Sequence, residues 1–83
     1  MDAKEAARIA KEYLFAILGE EQRIFNVMVE EVEKSDDDKC WLITLGWSGY
    51  PFGFSPVEQR QYKTFKIDIN DGKVISMKIR EVV

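Results

Sequence analysis

Apolar and polar positions along this chain follow two different periods, and the change of period divides it. Over residues 2 to 18 the apolar positions recur every three or four residues. At 100° per residue, Ala6, Ala10, Tyr13 and Ile17 fall on one face, with Ala3, Ile9 and Leu14 beside them. Lys4, Arg8, Lys11 and Glu12 lie opposite. This predicts an amphipathic helix. Asp2 suits its N-cap, and Glu5 stands three residues on, as in a capping box. Gly19 suits a left-handed residue just past the last turn. Phe15 breaks the pattern, because it projects to the charged side. Either a loop folds over it, or it is an exposed aromatic at a contact surface.

From residue 24 the period becomes two. Residues 24 to 34 alternate through Phe25, Val27 and Val29, and then Val32 falls out of phase, which predicts a bulge near Glu30 and Glu31. Residues 35 to 39 form a polar turn. Residues 40 to 47 place Trp41, Ile43, Leu45 and Trp47 on one face and Cys40, Leu42 and Thr44 on the other. Residues 62 to 69 turn Phe65, Ile67 and Ile69 inward, and residues 73 to 81 turn Ile75, Met77 and Ile79 inward. The turn Asn70-Asp71-Gly72 joins the last two strands. A two-residue loop would mix the faces, so face parity predicts an odd loop of three residues. Gly72 would be left-handed, with Ile67 opposite Ile75 and Phe65 opposite Met77. The pattern therefore predicts an α+β fold: an N-terminal helix packed on one face of a four-stranded antiparallel β-meander. One helix cannot cover both faces of such a sheet. The second face, with Met28, Val32, Leu42, Thr44, Tyr62, Thr64, Ser76 and Lys78, reads as mixed and invites a partner or a second copy.

Size and composition narrow the picture. With 83 residues the chain makes one domain, 1 to 83, and domains this small bury only about 60% of their unfolded surface. The balance of 46% hydrophobic and 33% charged residues is that of a folded chain. A net charge of -3 argues against nucleic acid as a partner. No apolar run approaches a membrane span, and the charged start of the chain lacks the apolar core of a signal peptide. Both point to a cytoplasmic location.

The chemistry-bearing residues are sparse. There is no histidine, which removes Ser-His-Asp and Cys-His sites. The single Cys40 opens a strand, where a small half-buried residue is the ordinary role. Asp36-Asp37-Asp38 lacks the alternating ligands of a calcium loop and reads as a solvated tip. Glu30, Glu31 and Glu33 show no sign of desolvation. The expectation is a chain that is not an enzyme and holds no cofactor or metal. One segment is unusual: residues 46 to 60, GWSGYPFGFSPVEQR, carry four aromatics between two strands. They either fold back to cap the core or form a recognition loop. On the second reading the partner-binding residues are Trp47, Tyr50, Phe52, Phe54 and Arg60, with Phe15.

The order of elements, with Ala6-Ala7-Arg8-Ile9-Ala10 in the helix, Trp41 in the second strand and the run Phe65 to Ile75 around Asn70-Asp71-Gly72-Lys73-Val74, resembles the PepSY-like domains of peptidase propeptides and small bacterial proteins. The outline is also similar to the wider cystatin-like group, without the Gln-Val-Val-Ala-Gly-like inhibitory hairpin. The resemblance implies a non-enzymatic module that binds or inhibits proteins, often peptidases, outside the cytoplasm. A homodimeric structural protein that buries its own sheet face is the alternative.

Overall fold

A computed structural model describes residues 1–49 and 58–80. It shows one helix and a four-stranded antiparallel sheet, an α+β architecture. The order is α1 (Ala3–Leu18), β1 (Ile24–Lys34), β2 (Cys40–Gly49), β3 (Gln59–Asp68) and β4 (Val74–Ile79). Strand order in the sheet follows chain order, so β1 and β4 are the edges.

Asp2 caps α1, its side chain accepting from the Glu5 amide at 2.8 Å. The buried stripe is Ala6, Ala10 and Leu14. It is rotated from the stripe that the sequence pattern centres on Ile17, which is exposed. The alanines let the helix lie close to the sheet, and Leu14 fills the space that remains. Gly19 is right-handed, with φ -61°, and not the left-handed cap the sequence suggests. Its lack of a side chain matters differently, since a Cβ there would press on the Phe15 carbonyl oxygen.

The Met1 nitrogen donates to the Ile69 carbonyl, and the Trp41 indole donates to the Met1 carbonyl. At the other end the chain turns back into Ile24, which pairs with Gly49. The helix therefore runs from the Trp41 end of β2 toward its Gly49 end. Beneath it lie Ile43, Leu45 and Trp47 of β2 with Phe65 and Ile67 of β3. Tyr13 meets Phe65 edge-on, with ring centroids 6.3 Å apart. Each such buried side chain contributes about 1.5–3 kcal/mol of hydrophobic stabilisation.

The strands show three shifts of register. One falls between Val29 and Glu31, where the phase of Val32 places it, and a second between Phe25 and Met28, next to a left-handed Asn26. The third corrects the hairpin. Gly72 is left-handed (φ 74°) and Phe65 faces Met77, as the pattern predicts. The loop, however, is even: Asp68 pairs with Lys73 through a 2.9 Å backbone bond. Ile67 then faces Val74, and a bulge at Ile75 restores the phase one residue later. Ile75 is left exposed instead of facing Ile67. The Asp68 carboxylate accepts from the Asn70 and Asp71 amides, which fixes this longer turn. Ile79 is 75% exposed and also departs from the inward place predicted for it. It lies on the edge strand, beyond the cover of the helix.

Candidate functional site

The structure separates the residues that sequence reasoning had grouped. β2 continues through Gly49 and β3 begins at Gln59, so Trp47 and Arg60 belong to strands and not to a loop. Trp47 is fully buried in the core beneath α1. It shares the phase of Ile43 and Leu45, and that phase carries its ring under the helix. It presents no surface to a partner, which corrects its place among the binding residues. Its indole N–H has no hydrogen-bond partner among the described residues. Tyr50, Phe52 and Phe54 lie outside the described residues. Phe15 stays on the surface, 48% exposed.

Arg60 sits on the sheet face away from α1, and the chain itself engages it. One guanidinium nitrogen donates to the Asn26 carbonyl at 2.6 Å, and the other meets Glu30 at 3.1 Å. The group lies over the Tyr62 ring, 6.0 Å from its centroid. Gly46 is the floor of this cluster. A Cβ there would stand 2.9 Å from Glu30 Oε1 and 3.0 Å from both Arg60 Nη2 and Tyr62 Cε1. The ion pair thus rests on bare backbone. Further along, Arg80 reaches Glu31 at 3.0 Å and joins the two edges across the same face. Thr44 and Thr64 bond to each other at 2.9 Å. Thr44 and Ser48 are consequently buried, at 3% and 5% exposure. The outer face of β2 is covered by the chain's own long side chains. The face as a whole stays mixed, as the sequence reading expected: Met28, paired with Gly46, is 58% exposed beside the Arg60 cluster, and Leu42 and Tyr62 are half-buried.

The apolar surface left exposed lies at the flanks. Val29 pairs with Leu45 and Val32 with Ile43, so both point to the helix side of the sheet. They remain 38% and 44% exposed. The reason is width. An α-helix is about 10 Å across, while four strands spaced about 4.8 Å apart are wider. Tyr13 against Phe65 fixes one flank of α1 toward β3. Phe15 lies 200° round the helix from Tyr13 and is 48% exposed. Val29 and Val32 line the helix side of β1, and Phe15 is exposed separately near the C-terminal end of α1. Glu31 and Glu33 point to the opposite side of the same strand, opposite Thr44 and Leu42.

The charged groups on the helix pair locally. Arg8 bridges Glu5 and Glu12. Its hydrogen bonds hold the Glu5 carboxyl below its usual range and raise the guanidinium further. In the turn after β1, Asp37 accepts from the Ser35 hydroxyl and the Lys39 amide, and these bonds hold its carboxyl low. Glu5 sits in the first turn of α1 and Asp37 in the β1–β2 turn. Each borders a shallow open depression, Glu5 with Met1, Lys4 and Arg8, and Asp37 with Glu33, Leu42 and Lys66. Among the described residues no cluster of carboxylates and thiol is arranged to hold a metal ion. Cys40 is buried at the start of β2. No described helix is long and apolar enough to cross a membrane. No family model, curated protein or solved structure matches this chain.

Proposed function

We propose that this chain is a non-enzymatic protein-binding or regulatory module that works through its exposed flank and its aromatic segment. The observation that carries the reading is the pair of half-exposed apolar side chains Val29 and Val32 on the open edge strand β1, with Phe15 exposed on the helix. Exposed apolar surface alongside well-buried neighbours is what interaction sites present. The likeness of the element order to PepSY-like and cystatin-like domains supports the same reading, because those domains bind or inhibit proteins. Phe52 and Phe54 lie outside the described residues and join the proposal on residue type alone. Glu5, Arg8 and Asp37, the described groups with shifted titration, are engaged in a helix ion pair and a turn. The alternative of a homodimer through the outer sheet face has less support. Over β2 that face carries the Arg60–Glu30 and Arg80–Glu31 pairs, and Met28 is its one strongly exposed large apolar side chain among the described residues.

The test is capture from native cells with the intact chain and with Phe15→Ser and Phe52→Ser/Phe54→Ser variants that keep the wild-type melting temperature. The reading expects a specific partner that is lost with one or both variants. Capture of nothing, or the same partner with every variant, would count against it.

A further inference from the structure

We infer that the free edge of β1 accepts an added β-strand from a partner segment in which apolar and basic residues alternate. The inference rests on the protein-binding reading and names the place and the chemistry. β1 has no neighbour on its outer side within the described sheet. Such an edge presents a row of unpaired N–H and C=O groups, and strand addition is a common way for a domain to bind an extended peptide. The two sides of β1 differ. Val29 and Val32 face the helix side and remain half exposed. Glu31 and Glu33 face the other side. A strand laid alongside meets apolar side chains on one face and carboxylates on the other, so its own residues must alternate in the same way.

Charge decides between a partner and a second copy. Residues 30 to 38 carry Glu30, Glu31, Glu33, Asp36, Asp37 and Asp38 with Lys34. Arg60 and Arg80 pair with Glu30 and Glu31, which leaves Glu33 and the three aspartates against Lys34. Two copies set edge to edge would bring two such stretches together, and like charges directly opposite are destabilising. The bulges at Phe25 to Met28 and at Val29 to Glu31 shorten the regular part of the edge further. Bulges and charges on an edge are the usual protection against self-pairing. A basic strand satisfies the charges and needs only the straight run at residues 31 to 34 with its approach past Val29. Glu33 has no ion pair among the described residues, so its charge is available to such a strand.

The test titrates the isotope-labelled chain with a synthetic peptide of alternating valine and lysine, about eight residues long, and follows backbone amide shifts. The account expects saturable shifts at residues 29 to 34. Affinity should fall about tenfold or more with Glu33→Lys or with a valine–glutamate peptide, and by less than about twofold with Glu20→Lys, the same charge change away from the edge. Shifts confined to β4, equal binding of both peptides, an equal effect of Glu20→Lys, or no shift at millimolar peptide would overturn it. A dimer with protected β1 amides would overturn it too, by assigning the edge to a second copy. None of these results touches capture through Phe15 and the aromatic segment, so the broader reading stands or falls separately.

Discussion

Two aromatics, Trp47 and Phe15, show how far position decides the role of a side chain. Trp47 is enclosed beneath α1, and Phe15 stands on the helix flank, half in solvent. Trp47→Ala should cost about 3–5 kcal/mol, a large part of the roughly 4–12 kcal/mol that a domain of this size has. Phe15→Ala should change stability by no more than about 0.5 kcal/mol. Urea denaturation of the two variants checks both. Gly46 is the complementary case. A valine there would displace the Glu30–Arg60 pair and the Tyr62 ring from the backbone they rest on, at a cost of about 1–3 kcal/mol. The phase of Trp47 was legible in the sequence, since Trp41, Ile43 and Leu45 share it. Its aromatic neighbours in the following segment drew it toward a surface role that the strand phase rules out. The Arg60 cluster was not legible. It depends on Asn26, Glu30 and Gly46 being brought together by register, and two bulges set that register.

At the scale of elements, the helix and its cap follow directly from the residues. Asp2→Ala should cost about 1 kcal/mol, read from thermal melts. The Arg8 bridge adds a pH dependence. Glu5 has a folded-state value below its ordinary 4.5, because Arg8 donates to its carboxylate. Its contribution is therefore full above that ordinary value and is lost as the pH falls through the lower, folded value. Melts of the wild type and Glu5→Gln should differ at about pH 6 and converge toward about pH 2. A gap that widened in acid would contradict the assignment. In the β3–β4 hairpin, Gly72 at φ 74° should resist substitution: Gly72→Ala adds left-handed strain of about 1–2 kcal/mol and sets a methyl 2.8 Å from Met1 Cε. The hairpin also shows where pattern reading stops. Parity requires one odd step between Ile67 and Met77. An odd loop or a bulge provides it equally well, and the Asp68 carboxylate, by fixing a four-residue loop, moves the step to Ile75.

For the molecule as a whole, the deciding quantity is the width of one helix against the width of four strands. Alternation tells which face a side chain takes, and it told this for Val29. Val32, which the pattern assigned to the outer face, is carried to the helix side by the bulge between Val29 and Glu31. It does not tell how far a helix reaches sideways, so the exposed flank was not visible in the sequence. On the outer face a different device covers β2: charged side chains from β1, β3 and the end of β4 pair across it. Both β1 and β4 are open edges of the described sheet, and β1 is apolar on the helix side and acidic on the other. The most direct measurement is residue-by-residue amide hydrogen exchange of the chain alone at two concentrations. The account predicts slow exchange throughout β2 and β3, fast exchange at the outward amides of residues 29 to 34, and no change with concentration. Protection of those β1 amides equal to that of β2, or protection that rises with concentration, would show the edge already occupied and contradict the account.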